Sequence, residues 1–277
     1  MSKILITGAT GFIGRSVCQI LREKNHTLTG VSRNKELRSG PQNIPLYHLP
    51  EFSGNMDWSK AVAGADAIVH LAARVHQMRD RSADPLSEFR RVNMEGTKTL
   101  AEAAVAAGVK RFIFLSTIKV NGQRTIGKPF SENDLSVPDD PYGISKWEAE
   151  NVLVDIATKG GMETVILRSP LVYGPHVGGN FMSLARAVAK RWPLPLSAVT
   201  NRRSLIYVGN LASAIATCVS HPNAPGETFF VSDGETLSTA ELAKRMALAA
   251  GIRGNIFYCP LFVSHHEASR GFPSTPS

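Results

Sequence analysis

The stretch that most constrains the fold lies near the start of the chain, where residues 3–14 read KILITGATGFIG. An apolar run of strand length is followed by glycines at every third position and then by a segment of helical periodicity. Glycine lacks a Cβ, so it permits a tight turn and lets phosphate oxygens and a packing helix approach the backbone. The amides and positive dipole end of the next helix would face the anion. The predicted diphosphate-binding residues are Gly8, Gly11, Phe12, Ile13 and Gly14.

A hydroxyl and a cation follow the second predicted strand, His26–Val31. Dinucleotide folds place at this point either an acid for the adenosine ribose hydroxyls or a cation for a 2′-phosphate. Arg33 would bind such a phosphate and Ser32 would add a hydroxyl, whereas an aspartate would repel it. This favours NADP over NAD, although Arg33 could equally stack on the adenine and leave the ribose to other residues.

The alternation of apolar strands with helices of ten or more residues predicts an α/β fold with a doubly wound, Rossmann-like parallel sheet. Asp84 and Asp140, each followed by proline, predict the N-caps of two long helices that end near residues 107 and 158. From about residue 169 proline, glycine and short segments dominate. The predicted organisation is an NAD(P)-binding domain over 1–168, a smaller substrate lobe over 169–263 that partly returns to the main sheet, and an atypical polar tail over 264–277 that is expected to be disordered.

Composition excludes several classes of function. The 277 residues are 43% hydrophobic and 19% charged, and no apolar run reaches the ~18 residues of a membrane helix. The glycine turn at residue 8 leaves no room for a signal peptide, so we expect a cytoplasmic protein. The net charge of +8 is spread without a block of basic residues, which disfavours nucleic acid as a partner. The three cysteines lack metal-ligand spacing, and we expect reduced thiols and no metal site.

A tyrosine and a lysine four residues apart, Tyr142 and Lys146, carry the predicted acid–base chemistry. Their spacing places them on one face of a helix. A free phenol is a poor base at neutral pH, but a nearby ammonium and an oxidised nicotinamide would lower its pKa. We therefore expect Tyr142 to exchange a proton with a sugar hydroxyl during hydride transfer, while Lys146 also holds the nicotinamide ribose.

Two strand ends complete the predicted site. Ser116 and Thr117 end the central strand that begins at Arg111, and a hydroxyl there would point into the crevice where such sheets bind ligands. It could stabilise charge on the reacting oxygen, or serve only as a strand-end cap. The strand ending at His70 is followed by small residues that would let the backbone pass under a cofactor. These predicted cofactor contacts are Leu71, Ala72 and Ala73.

Six motifs in order resemble the extended short-chain dehydrogenase/reductases, and more narrowly the NAD-dependent epimerase/dehydratase family acting on nucleotide sugars. They are TGATGFIG, HLAA, RVNMEGT, LSTIKVNG, PYGISK and LRSPLVYGP. The resemblance implies UDP-hexose 4-epimerases or 4-keto-sugar reductases, a UDP-hexose as substrate and a possible homodimer through the two long helices. By motif, Thr117 takes the catalytic hydroxyl position beside Tyr142 and Lys146.

The same resemblance assigns further contacts. Glu51 and Phe52 take the place of an acid–apolar pair beside adenine, Asn180 and Phe181 match contacts to the nucleotide-sugar phosphates, and Arg203 matches an arginine that grips the diphosphate. Ile118-Lys119 stands where dehydratases carry Asp-Glu, which disfavours dehydration. Asn121 replaces the usual tyrosine of V-Y-G, and we expect that change to affect local packing alone.

Two reactions and one non-enzymatic role remain open at this point. An epimerase keeps its cofactor, takes hydride from C4 and returns it to the other face of the 4-keto sugar. A reductase delivers hydride once and releases the cofactor, as the NADP preference suggested by Arg33 would favour. A dinucleotide sensor on the same fold is the alternative of another class, although the retained Tyr142–Lys146 pair disfavours it.

Overall fold

The computed structural model describes residues 1–75, 84–125, 127–196 and 199–252. The predicted tail over 264–277 therefore lies outside the described residues. Ten strands occur in the described part of the chain: β1 Lys3–Thr7, β2 Thr27–Ser32, β3 Leu46–His48, β4 Ala67–His70, β5 Arg111–Thr117, β6 Glu163–Ser169, β7 Leu171–Tyr173, β8 Arg203–Tyr207, β9 Thr228–Phe230 and β10 Thr236–Leu237.

The helices of the same ranges alternate with these strands. They are α1 Phe12–Glu23, α2 Ser59–Val62, α3 Pro85–Phe89, α4 Gly96–Ala106, α5 Pro141–Gly160, α6 Gly179–Ala189, α7 Val208–Cys218 and α8 Thr239–Ala249. A π-helical turn, Arg90–Glu95, joins α3 to α4, and short 3-10 turns span Pro41–Asn43 and Ile118–Val120. No described helix combines the length and apolar character that a bilayer-spanning segment needs.

The main sheet has seven strands in the order β3-β2-β1-β4-β5-β6-β9. Every pair in it is parallel, which confirms the predicted doubly wound α/β fold. The strand order reverses between β1 and β4, and Thr7 is the register partner of His70 there. Open α/β sheets bind ligands outside the carboxyl ends of their strands at such a switch point.

The core lies on both faces of this sheet, as period-two burial requires. Ile4 and Ile6 of β1 pack on one face with apolar residues of α1 and α7. Leu5 points to the other face, where residues of α4 and α5 cover it. The sheet is thereby buried on both sides, and its polar functional groups are concentrated at the strand ends.

The helix termini follow the predicted capping rules. Asp84 accepts a hydrogen bond from the Ser87 amide, and Asp140 accepts from the amides of Tyr142 and Gly143. α5 ends at Gly161 in the left-handed conformation, with φ 69°. The first long helix differs from the prediction because the π turn interrupts it, with Asn93 buried at 1% exposure inside that turn.

The chain divides into two compact units, one of Met1–Val177 with Ser204–Glu235 and one of Gly178–Arg203 with the residues from Thr236 onward. The first unit continues past the predicted boundary at residue 168 and includes β7. β9 pairs with β6 in parallel within the main sheet. The division into a cofactor-binding domain and a substrate lobe stays a prediction. In the second unit, α6 and α8 enclose a small apolar cluster around Val188, Ala243 and Ala247.

Candidate active site

The glycine turn after β1 has the steric form that a dinucleotide requires. Gly8 has φ +72°, and a Cβ there would lie 2.9 Å from the Ala72 amide nitrogen. A Cβ at Gly14 would lie 2.1 Å from the Gly8 carbonyl oxygen, because α1 packs against the turn. Both positions therefore exclude any larger residue. This cradle fits the diphosphate of a dinucleotide.

The first turn of α1 offers unpaired donors at the same place. Its N-cap is Gly11, which has no side chain to satisfy the first amides, and no acidic residue lies in the first turn. The amides of Phe12, Ile13 and Gly14 are among the groups that a helix leaves without an internal acceptor. The five residues predicted from the glycine pattern thus lie together, and they would hold a diphosphate through backbone groups.

The segment Leu71–Ala73 passes directly beside this turn. The Thr7 hydroxyl oxygen accepts hydrogen bonds from the Leu71 and Ala72 amides, each at 3.2 Å. The Asn93 side chain binds both backbone groups of the next residue, Arg74. Its Oδ1 accepts from the Arg74 amide, and its Nδ2 donates to the Arg74 carbonyl. The predicted path of backbone under the cofactor is therefore fixed at both ends by side chains.

The start of α5 packs against the turn that follows β5. Asp140 Oδ1 accepts from the Tyr142 and Gly143 amides at 3.2 and 3.3 Å. A Cβ at Gly143 would lie 2.8 Å from the Lys119 carbonyl oxygen, so the helix touches the turn that follows Thr117. The helix that carries Tyr142 and Lys146 therefore begins beside the turn that follows Thr117, and the catalytic roles of these residues stay predictions.

Burial sets the direction of the Tyr142 pKa in this structure. It raises the pKa of the phenol to about 12, and the Asp140 carboxylate acts in the same direction. The lowering expected from the Lys146 ammonium together with an oxidised nicotinamide stays a prediction for the protein with its cofactor bound. A proton therefore stays on the phenol at neutral pH, and positive charge brought into the site would be needed to release it.

Lys146 is almost completely enclosed, with 2% exposure, and its ammonium lies 3.7 Å from the centre of the Phe114 ring. Burial lowers the pKa of Lys146 to about 7, and the Glu150 carboxylate opposes that shift. The lysine can therefore gain and lose a proton near neutral pH. The Phe114 ring stabilises the charged form through its π face.

Thr117 can serve the reacting oxygen while also capping a turn. Its side chain accepts a hydrogen bond from the Lys119 amide at 3.3 Å. Since that bond uses a lone pair, the hydroxyl proton is still available to donate. Ser116 Oγ is buried with no hydrogen-bond partner, and its carbonyl accepts from the Ser169 hydroxyl. Strand-end capping by Ser116, the alternative left open above, is not seen.

A buried ionic cluster behind Lys146 was missed at the sequence level. Arg168 at the end of β6 binds both carboxylate oxygens of Glu150, at 2.6 to 3.2 Å. It also donates to Asn121 Oδ1 at 3.0 Å and to the Ser136 hydroxyl at 3.2 Å. The replacement at Asn121 therefore does more than alter local packing. The i, i+4 step from Lys146 to Glu150 was the available signal.

The predicted adenosine contacts lie in the first unit, at the end of β2 and in the segment after β3. Ser32 ends β2 and accepts from the Asn34 amide at 3.1 Å, while Arg33 is exposed. Glu51 accepts from Ser53 and from Arg91. Phe52 is buried edge-to-face against Trp58, with ring centres 5.2 Å apart. Arg33 is thus accessible to a ligand, and Phe52 is chiefly a core residue.

The predicted contacts to the nucleotide-sugar phosphates belong to the second unit, whereas Thr117 lies in the first. Asn180 and Phe181 lie in the first turn of α6, and Arg203 is the exposed first residue of β8. Their roles toward a nucleotide sugar stay predictions. Within the described ranges, no group of His, Cys, Asp and Glu has an arrangement that could hold a metal ion.

The parallel sheet, the glycine cradle at its switch point and the Tyr142–Lys146 helix define a dinucleotide-dependent α/β enzyme. The chain belongs to the NAD dependent epimerase/dehydratase family, whose sequence model matches residues 4–232. A UDP-glucose 4-epimerase of Vibrio cholerae is 42% identical over 248 residues, which cover 89% of this chain and 75% of the relative.

Solved structures show the same similarity in three dimensions. MoeE5, solved with UDP-glucuronic acid and NAD, is 26% identical with a TM-score of 0.77, over 90% of this chain and 82% of that one. A UDP-glucuronic acid 4-epimerase from Bacillus cereus, also solved with UDP-glucuronic acid and NAD, is 25% identical with a TM-score of 0.77, over 90% and 83% of the two chains. NAD is thus the cofactor in these structural neighbours.

Proposed function

We propose that this protein is an NAD-dependent 4-epimerase of a UDP-hexose, with UDP-glucose and UDP-N-acetylhexosamines as the first candidates. The observation that carries the proposal is the close packing of the Tyr142 end of α5 on the turn that follows Thr117, where Asp140 caps the helix and Gly143 lies against the Lys119 carbonyl. The activity of the Vibrio cholerae relative supports the same reaction.

Bound along the glycine turn, NAD would supply a reversible hydride acceptor. Tyr142 would take the proton of the sugar 4-hydroxyl as the C4–H bond breaks, and return it after the 4-keto sugar has turned over. Thr117 would donate its free hydroxyl proton to the same oxygen and stabilise its developing charge. Lys146 would hold the nicotinamide ribose and add positive charge beside the phenol.

The second unit would hold the nucleotide. Arg203 presents a fork of donors suited to two phosphates, and Asn180 and Phe181 would contact the same group. These assignments are supported by the motif positions and by the exposure of Arg203. An R203A variant should raise KM for the UDP-sugar about tenfold, with kcat unchanged, because one charge-assisted contact is lost.

A 4-keto-sugar reductase that uses NADPH is the second candidate. The exposed Arg33 at the end of β2 favours it, because a cation there suits a 2′-phosphate. The two candidates differ in what happens to the cofactor. An epimerase regenerates NAD in each turnover, whereas a reductase consumes one NADPH for each product.

The test is to purify the protein, release any bound nucleotide by denaturation and identify it. Turnover of UDP-glucose or UDP-N-acetylglucosamine without added NADPH, with NAD in the released fraction, is the expected result. A strict requirement for stoichiometric NADPH would establish the reductase. NAD binding without turnover of any UDP-sugar in a panel that includes UDP-glucuronic acid would establish a sensor.

We further propose a homodimer formed through α4 and α5. Trp147 and Val154 of α5 are exposed at 36% and 41% and supply apolar area for such an interface. Light scattering should give twice the chain mass of 30.0 kDa, and W147E should give the monomer. The buried free thiols of Cys18 and Cys218 support a reducing, cytoplasmic setting.

A further inference from the structure

A line of buried hydrogen bonds connects β1 to the π turn before α4. Thr7 Oγ1 lies 2.6 Å from His70 Nδ1, and His70 Nε2 lies 3.0 Å from Thr97 Oγ1. The Thr97 hydroxyl donates to the Asn93 carbonyl at 2.6 Å. The three side chains are between 0% and 2% exposed. The proton on each atom can therefore be assigned from its protein partners.

The assignment starts at Thr97, which has a single hydroxyl proton. That proton goes to the Asn93 carbonyl, so Thr97 Oγ1 can only accept from His70, and Nε2 must carry hydrogen. A neutral imidazole has one N–H, so Nδ1 is an acceptor and the Thr7 hydroxyl donates to it. The lone pairs of Thr7 Oγ1 then accept from the Leu71 and Ala72 amides.

A second proton on His70 would have no acceptor. Nδ1–H would point at a Thr7 oxygen whose lone pairs already accept two amides. The charged groups and rings around His70 also oppose it, since Lys146 is a nearby cation and Phe112 and Phe114 enclose the ring. Burial, helped by Lys146, lowers the pKa of His70 to about 3. The residue is therefore neutral at physiological pH.

The same line controls the backbone that passes the glycine turn. Thr7 holds its beginning at Leu71 and Ala72, and Asn93 holds its end through Arg74, at 2.8 Å to the amide and 3.0 Å to the carbonyl. Asn93 Nδ2 also donates to the Ser145 hydroxyl at 3.0 Å. Ser145 in turn donates to the Tyr142 carbonyl at 2.8 Å, so the network reaches the first turn of α5.

We propose that His70, as the neutral Nε2–H tautomer, is a positioning residue that sets the register between the glycine turn and the Tyr142 helix. His70 links Thr7, whose hydroxyl binds the start of segment 71–74, to the π turn. Asn93 of that turn binds the end of the segment. The functional part of this proposal, the placing of the cofactor, rests on the proposed function. The tautomer does not, because it follows from the protein partners alone.

The first experiment is 15N NMR of the full-length protein labelled at histidine, with the His70 signals identified by their loss in H70Q. The expected spectrum has hydrogen on Nε2 and an unprotonated Nδ1, unchanged from pH 6 to 8. An Nδ1–H tautomer, or an imidazolium titrating within that range, would overturn the proposal. This readout needs no active enzyme.

The second experiment removes the acceptor of His70. T97V should weaken NAD binding about tenfold, since it breaks the hydrogen bonds of Thr97 with His70 and with the Asn93 carbonyl and leaves the His70 N–H unpaired. T97S keeps the hydroxyl and should restore affinity to within about twofold, and T99V should bind like wild type because Thr99 lies outside the network.

The outcomes separate the two proposals. T97V with wild-type NAD affinity, in a folded protein, would overturn the positioning role. T97S failing as badly as T97V would do so as well, because loss would then reflect packing. If the tautomer and the T97V effect are found but no UDP-sugar turns over, the proposed function fails and the positioning role stands.

Discussion

The glycine turn after β1 and the start of the Tyr142 helix are both parts of the first unit, but they are built on different physical principles. The turn is made of backbone, and its requirement is steric, as the 2.1 Å that would separate a Gly14 Cβ from the Gly8 carbonyl shows. The helix side is made of buried charge, with Lys146, Glu150 and Arg168 at 2%, 3% and 8% exposure. The glycine turn therefore depends on the absence of side chains at Gly8 and Gly14. The start of the Tyr142 helix depends instead on the presence of charged partners for its buried side chains.

The largest expected effect comes from the phenol itself. Y142F should lower kcat about 10³-fold, because it removes the proton-transfer group while leaving the ring in place. NAD affinity should change by less than about threefold, since the phenol proton belongs to the chemical step. Steady-state kinetics with isothermal titration would measure both. A Y142F enzyme with more than a tenth of wild-type kcat would remove the acid–base assignment.

The next effect tests the steric requirement of the glycine turn after β1. G14A should lose measurable NAD binding and about 3 kcal/mol of unfolding free energy, because the new methyl group would meet backbone that cannot move aside. G178A is the matched control, as a Cβ there would have no atom within 4 Å. Urea unfolding and NAD titration of both variants decide the point. Equal stability of the two would show that α1 can shift.

The buried charges of α5 are tested through the Glu150–Arg168 pair, whose carboxylate also acts on the pKa of Lys146. E150Q leaves Arg168 without its buried carboxylate and should cost about 3 kcal/mol of unfolding free energy. Because Glu150 raises the pKa of Lys146 against the effect of burial, its loss lowers that pKa further. The alkaline limb of the kcat profile should therefore move to lower pH.

The control for this pair is E148Q on the same helix. Its partner Arg90 is 42% exposed, so the loss should be under about 1 kcal/mol with no shift of the pH profile. An E150Q enzyme whose stability and profile match those of E148Q would mean that the buried pair plays no part in tuning the lysine.

Much of the glycine turn could be predicted from the sequence, because its form depends on the spacing of the glycines and on residues adjacent to them in the chain. The Tyr142–Lys146 pair was predictable for the same reason. The Glu150–Arg168–Asn121 cluster was not, since its partners are 18 and 47 residues apart and meet only when β5, β6 and α5 assemble. The π turn around Asn93 was also hidden, because RRVNME contains no proline or glycine to mark an interruption.

A further effect concerns the pH dependence of stability. The folded-state pKa of His70, about 3, lies below the ordinary value of 6.5, so between these values the unfolded chain binds more protons than the folded one. Stability should therefore fall as pH drops through this window, by at most about 1.4 kcal/mol per pH unit from this residue. Urea unfolding of H70Q should give a flatter pH dependence than wild type. Parallel curves would contradict a buried neutral histidine.

In the proposed epimerase, hydride leaves C4 of the sugar and returns to the same carbon. Incubating the protein with UDP-glucose deuterated at C4, followed by NMR and mass spectrometry of the product, tests this step. The expected product is UDP-galactose that retains the deuterium at C4, formed without added nicotinamide cofactor. Loss of the label to solvent, or to a pool of added cofactor, would contradict it.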